Sequence, residues 1–146
     1  EVNVVAKMKE THTVIGGEGN GGVIYPESHY GRDALVGVGL FLSHFVAEGK
    51  TMTALKATYP QYFISKNKLT LSPDMNVDKI LEGLKQKYAS EEITDIDGVK
   101  IDFKDGWVHL RKSNTEPIIR IYSESKDEAA ANQLAEEVIK VAQSLC

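Results

Sequence analysis

Apolar residues crowd residues 33–48 on nearly every helical face: Leu35, Val36, Val38, Leu40, Phe41, Phe45 and Val46. That spread predicts a helix buried on most sides. Asp33 is its N-cap and Gly49-Lys50 its stop. Ahead of it, residues 2–8 and 13–15 read as short β-rich runs parted by a charged turn at Lys9-Glu10. Val23-Ile24-Tyr25 is a third such run, closed by Pro26, and the polar residues 27–32 connect it to the helix. A short second helix starts at about Met52 and ends before Pro60.

The pattern changes over residues 60–78, where extended stretches (Tyr62-Phe63-Ile64, Leu69-Thr70-Leu71-Ser72) are set in a connection assigned to residues 61–72. Asn76 caps a helix running to about Tyr88, with Ile80, Leu81, Leu84 and Tyr88 on one stripe. Val99-Lys100-Ile101-Asp102-Phe103 alternates as a half-buried strand does, Asp105-Gly106 signals a hairpin, and residues 107–110 form the return strand. Residues 118–122 form the next strand. Ser125 and Glu128 read as a capping box for a last helix with the stripe Ala131, Leu134, Ala135, Val138, Ala142 and Leu145. The fold class is therefore α+β. Residues 1–60 read as the incomplete tail of an α/β domain, and the second half, from the extended stretches before residue 73 onward, as an antiparallel sheet with two helices on one face, in the order β-α-β-β-β-α.

Composition narrows the function classes. A hydrophobic fraction of 42% and a charged fraction of 26% are those of an ordinary globular protein. No apolar run reaches the length of a membrane span, because His44 interrupts the longest one. The net charge of −4 and the absence of an aromatic-plus-basic face in the pattern argue against nucleic acid and membrane surfaces as partners. The lone cysteine, Cys146, allows neither an intrachain disulfide nor a thiolate cage, which fits a reducing, cytoplasmic setting. The chain opens Glu1-Val2-Asn3 without an initiator methionine or a signal-peptide pattern, and it is expected to be part of a longer protein.

Two loops carry chemistry. Gly17-Glu18-Gly19-Asn20-Gly21-Gly22 has the letters of a dinucleotide fingerprint, but that motif needs a helix to open at its last glycine, and Val-Ile-Tyr-Pro follows instead. Alternation puts Glu18 and Asn20 on one side of the loop, where a carboxylate and an amide suit neighbouring sugar hydroxyls; a plain hairpin turn is the alternative. Arg111-Lys112-Ser113-Asn114-Thr115-Glu116-Pro117, with Arg120 on the strand leaving it, gathers positive charge and hydroxyl and amide donors over a short arc. That set suits a phosphate or carboxylate better than it suits a solvated turn. Asp95-Ile96-Asp97-Gly98 lacks the further oxygen ligands of a calcium loop and is read as a turn. His44 is read as a core histidine and His29 as a site candidate, and no histidine shows metal-ligand spacing.

The basic loop with Arg120 resembles the phosphate-binding loop in the C-terminal domain of the α-D-phosphohexomutases, the phosphoglucomutases, phosphomannomutases and phosphoglucosamine mutases. The glycine-rich loop, followed by Gly31-Arg32-Asp33-Ala34, resembles the sugar-binding loop of that family's third domain. The resemblance implies that residues 1–60 end domain three, 61–72 form a linker, and 73–146 form a TATA-binding-protein-like domain four. It implies a parent enzyme that shifts phosphate between C1 and C6 of a hexose through a phosphoserine, with Mg²⁺ and a glucose 1,6-bisphosphate-type activator. On this chain it implies that Glu18 and Asn20 take sugar hydroxyls. Arg111, Ser113, Asn114 and Thr115 hold the phosphate not undergoing transfer, Arg120 supports them, and Glu116 orients an arginine.

No catalytic residue and no metal ligand is assigned here, because neither a phosphoserine motif nor an aspartate-rich loop occurs in the chain. The partners implied are a hexose phosphate and the remaining domains of the parent enzyme, without which the chain is expected to be inert. Some relatives carry histidine where this chain has Gly22 and serine where it has Asn20. Asn114 favours the phosphomannomutase/phosphoglucomutase type over a phosphoglucosamine mutase; a non-catalytic sugar-phosphate-binding module is the other alternative.

Overall fold

A computed structural model describes residues 1–72 and 75–145. Pro73, Asp74 and Cys146 lie outside the described residues, and with them the boundary placed at residue 73 and the lone cysteine. The chain forms two compact units, Glu1–Pro60 and Gln61–Cys146. Mixed helix and antiparallel sheet make it α+β.

The first unit opens with helix α1 (Val2–Thr11), which corrects the expectation of a β-run over residues 2–8. Val4, Val5 and Met8 share a helical face, and Met8 is buried at its end. Residues 13–15 form no strand either; the short strand β1 is Gly16–Gly17. It pairs antiparallel with β2 (Val23–Tyr25), which pairs with β3 (His29–Arg32) inside the stretch expected to be a polar connection.

Helix α2 (Ala34–Glu48) starts where expected, with the Asp33 carboxylate accepting from the N–H groups of Leu35 and Val36, and it ends at Gly49. Its burial does not match the sequence reading. Gly37 sits against Val23 of β2, yet Leu35 is 84% exposed and Val46 77%. Strand β2 and the short helix that follows cover part of α2, and Leu35, Val38, Phe41, Leu42 and Val46 stay exposed. His44, expected in the core, is exposed and pairs with the Tyr59 hydroxyl at 3.1 Å. Helix α3 (Met52–Lys56) completes the unit and buries Leu55.

The cap of α2 is sensitive to acid. The Asp33 carboxyl is held below its ordinary value, chiefly by the N–H of Val36, then by the His29 ring and the N–H of Leu35. A depressed folded value means the cap's contribution is fully present above about pH 4, the unfolded carboxyl's range, and is lost below it as pH falls through the lower folded value. Acid titration followed by circular dichroism is expected to show a loss of helix signal in that window. Asp33→Asn should lack that component, and identical acid profiles would exclude Asp33 as its source.

The second unit is a five-stranded antiparallel sheet in the order β4-β8-β7-β6-β5. Its strands are β4 (Phe63–Thr70), β5 (Glu92–Thr94), β6 (Val99–Phe103), β7 (Gly106–Lys112) and β8 (Ile118–Ser125). Two assignments change. Residues 63–70, within the expected linker, form the eight-residue strand β4, hydrogen-bonded along its length to β8. Strand β5, absent from the sequence reading, extends the far edge.

Helix α4 (Val77–Lys87) is capped by Asn76, and α5 (Glu128–Ser144) by Asp127, which accepts from the N–H of Ala130 at 2.8 Å. Ser125 is therefore no cap: it is buried at the end of β8 and donates to the Asp105 carbonyl at 2.6 Å. Both helices cover one face, where Ile80, Leu84, Val138 and Ala142 meet Val99, Ile101, Val108, Leu110, Ile119 and Ile121. Leu145, the last residue of the expected stripe, lies beyond α5 and is 38% exposed.

Candidate functional site

The glycine-rich loop is a closed turn between β1 and β2. Glu18 N–H donates to the Gly22 carbonyl at 3.1 Å, and Gly21 N–H to the Glu18 carbonyl at 3.0 Å. A strand follows Gly22, so the helix that a dinucleotide fingerprint requires is not there. The two expected sugar-binding residues are brought together: Asn20 Nδ2 donates to Glu18 Oε2 at 3.4 Å, while its Oδ1 accepts from Gly22 N–H at 2.9 Å. Asn20 thus fixes the loop with its oxygen and steadies the carboxylate with its nitrogen. The Glu18 carboxylate accepts from Asn20 and faces the Arg32 guanidinium, an acceptor suited to sugar hydroxyls.

Arg32 is a neighbour to which the sequence reading gave no role. Its guanidinium lies 3.7 Å from Glu18 Oε2 and donates through Nε to Glu1 Oε2 at 2.8 Å. The absence of a side chain at Gly22 makes this placement possible, because a Cβ there would come within 2.5 Å of Arg32 Cδ. The β2–β3 pairing turns residue 32 back beside the loop, and the sequence does not display that pairing. Asn20, Gly21, Gly22, Arg32 and Asp33 border an open depression of about 660 Å³. His29, outside that border, supports it: its Nε2 meets Asp33 Oδ2 at 3.1 Å, and its Nδ1 accepts from Gly31 N–H at 2.9 Å. With both ring nitrogens engaged, His29 orders the β3 turn.

The basic loop joins β7 to β8 in the second unit. Ser113 is nearly buried; its N–H donates to the Ile118 carbonyl at 3.0 Å, and its hydroxyl lies 3.4 Å from both the Thr115 hydroxyl and the Thr115 N–H. Asn114 and Thr115 are exposed at the tip, so the loop presents a cluster of small donors over a buried anchor. At its base, β7–β8 pairing sets Arg111 directly opposite Arg120. Each arginine has a carboxylate: Asp97 at 2.8 Å from Arg111 Nη1, and Glu116 at 3.7 Å from Arg120 Nη2. These pairs pre-orient two guanidiniums on one face beside the donor loop, an arrangement suited to an anion with several oxygens.

Asp97 has a different role from the turn residue read in the sequence. Its carboxylate holds Arg111 and its carbonyl lies 2.6 Å from His109 Nε2. Gly98 makes the approach possible: it has φ +83°, and a Cβ on it would fall 3.0 Å from Arg111 Cα. Only the β6–β7 register places this turn beside Arg111, and the sequence does not display that register.

The sheet face away from the helices also corrects a premise. It carries Trp107 and Tyr122 together with Lys66 and Lys100, whose ammonium groups sit 5.7 Å from the Tyr122 centroid and 5.6 Å from the Trp107 centroid. An aromatic-plus-basic face therefore exists, although Asp102 pairs with Lys100 and Glu124 accepts from the Trp107 ring N–H, giving it mixed sign. Among the described residues no three or more His, Cys, Asp or Glu side chains group as a metal site, and no helix is long and apolar enough to cross a membrane.

Residues 66–141 match the family model described as the phosphoglucomutase/phosphomannomutase C-terminal domain, and residues 1–62 match that family's alpha/beta/alpha domain III. The chain is 37% identical over 142 residues to a phosphoglucosamine/phosphogalactosamine mutase of Sulfurisphaera tokodaii, covering 96% of this chain and 31% of that protein. It is 39% identical over 140 residues to a phosphoglucomutase/phosphomannomutase of Thermococcus kodakarensis, covering 94% and 30%. A solved phosphoglucomutase/phosphomannomutase family protein from Burkholderia thailandensis aligns with a TM-score of 0.72 at 26% identity, over 97% of this chain and 30% of that one. The chain spans about a third of the length of the relatives it matches.

Proposed function

Because the chain belongs to the phosphoglucomutase/phosphomannomutase family, we propose that it is the sugar- and phosphate-gripping part of an enzyme that interconverts hexose 1-phosphate and hexose 6-phosphate. The observation that carries this reading is the Ser113–Thr115 donor cluster set beside two carboxylate-oriented arginines, Arg111 and Arg120. A phosphate held there is the one that stays in place, and its charge is neutralised by groups that need no rearrangement. Glu18, steadied by Asn20, takes ring hydroxyls and fixes which face of the sugar is presented. The binding loops position; the transferring group comes from elsewhere in the parent enzyme.

That transfer uses a phosphoserine on the parent's other domains, where bound Mg²⁺ supplies charge stabilisation. The described residues of this chain do not form a site for the ion, and no step on this chain runs through it. A hexose 1,6-bisphosphate activator fits the same reading, since each of its phosphates in turn becomes the held one. We place the parent in the cytoplasm on the strength of the lone cysteine in the sequence.

The test has two arms on this chain. Titration with glucose 6-phosphate is expected to shift the backbone amide signals of Ser113, Asn114 and Thr115. A coupled assay is expected to find no conversion of glucose 1-phosphate. Unmoved loop amides would sink the phosphate reading, and turnover by the chain alone would sink its dependence on the missing domains. The similarity to the Sulfurisphaera relative favours a second reading, a glucosamine-type substrate. Glucosamine 6-phosphate binding more tightly than glucose and mannose 6-phosphates would establish it.

A further inference from the structure

The open face of the second unit's sheet carries three cations in one cross-strand row. Lys68 of β4 lies opposite Arg120 of β8, and Arg120 lies opposite Arg111 of β7. The strand neighbours Leu69, Ile119 and Leu110 are buried in the core, so alternation sends all three cations to the other face. Side chains directly opposite on adjacent strands have Cβ atoms about 5 Å apart, and like charges at that spacing repel.

The compensation along this row is uneven. Arg111 has Asp97 and Arg120 has Glu116, but among the described residues Lys68 has neither a carboxylate nor a ring partner. Lys66, two residues earlier on the same face, is held over Tyr122. Three cations face two carboxylates, which leaves the row with net positive charge. Lys68 is also close to the basic loop, because Thr70 pairs with Ile118 and Leu71 N–H donates to the Pro117 carbonyl at 2.9 Å. The end of β4 is thereby fastened along the loop's exit.

We propose that Lys68 is the third cation of the phosphate site and sets its preference for the phosphate dianion over the monoanion. The inference rests on the reading of the Ser113–Thr115 loop as that site. Without Lys68 the two arginines are matched by two carboxylates and this row has no net charge with which to distinguish the second ionisation, while Lys112, opposite Ile119, alternates to the other side of β7. With it, the second negative charge of the ligand meets an unpaired ammonium, which lies across one strand spacing of about 4.8 Å from Arg120.

The experiment is a titration of this chain with glucose 6-phosphate from pH 5 to pH 7.5, across the monoester's second ionisation near pH 6. Loop amide shifts give the affinity, and melting curves verify folding. Wild type is expected to bind at least about fivefold more tightly at the upper pH, the scale of one added charge at partly screened range. Lys68→Gln should lose most of that rise, and Lys68→Arg should keep it. Lys66→Gln, with the same change of net charge on the same face, should lose clearly less than Lys68→Gln, since its ammonium is held over the Tyr122 ring one row further from the loop.

A folded Lys68→Gln that keeps wild-type affinity and pH dependence overturns the role of Lys68 and leaves the loop reading intact. Equal losses in Lys66→Gln and Lys68→Gln reduce the effect to net charge and also overturn it. Wild-type loop amides that do not respond overturn both the inference and the reading beneath it.

Discussion

Arg111→Ala is expected to weaken glucose 6-phosphate binding by about 10- to 100-fold, the range set by losing hydrogen bonds to a charged group. Arg111 closes the base of the donor loop, faces Arg120 across the strand pair and is held by Asp97 at 2.8 Å. Removing it deletes one guanidinium and leaves the Asp97 carboxylate uncompensated beside the site, so attraction is lost and repulsion added at once. Arg111→Lys should recover only part of the loss, because an ammonium cannot present two parallel donors to phosphate oxygens while also meeting Asp97. Arg111 is exposed, so the melting temperature should barely move. Calorimetric titration beside a thermal melt separates the two effects. Binding within about threefold of wild type would show that the loop donors alone hold the anion.

The two loops were legible because their chemistry is local. Five consecutive donor-bearing positions and an alternating carboxylate and amide need no knowledge of tertiary pairing. What escaped depends on register. Asp97 reaches Arg111, and Lys68 joins the cation row, only through strand pairings. Arg32 reaches Glu18 because β3 folds back on β2.

The fold follows the same division. Strand β4 shows no sustained apolar alternation because two of its inward positions ahead of Leu69, Ser65 and Asn67, are polar, with Asn67 Nδ2 donating to Ser65 Oγ at 3.0 Å and Ser65 hydrogen-bonded to Asn132 of α5. Such a strand has the composition of a linker. Helix α1 was hidden by its valines, whose β preference outweighed a helical spacing that ends at Met8. Helix α2 was located correctly, cap included, yet its burial was overestimated, because an apolar face reports what it needs and not what this chain supplies. At α5, Ser125 and Glu128 satisfied the letters of a capping box, but the strand runs on through Ser125 and Asp127 takes the capping position.

Ile121→Ala is expected to be the most damaging single change to the second unit's stability, costing about 2–5 kcal/mol. Ile121 is fully buried on β8, flanked by Leu110 of β7 and Asn67 of β4, under the core face covered by α4 and α5. Strands on both sides and helices above leave nothing free to collapse into the gap, which puts the cost well above a bare transfer term. Against a total stability of about 5–15 kcal/mol for a domain, such a loss lowers the melting temperature by about 10 °C or more. Ile121→Val, which removes one methyl group, should cost only about 0.5–1.5 kcal/mol.

The effect should also reach the site. Arg120 precedes Ile121 on the same strand and faces the opposite side, so a slackened β8 loosens the guanidinium that Glu116 orients and weakens phosphate binding before the unit unfolds. Denaturant unfolding paired with glucose 6-phosphate titration at a temperature where Ile121→Ala is still folded measures both. A large stability loss with unchanged affinity would separate the core of β8 from the anion site it carries. Losses in both would show that the rigidity of this strand is part of how the phosphate is held.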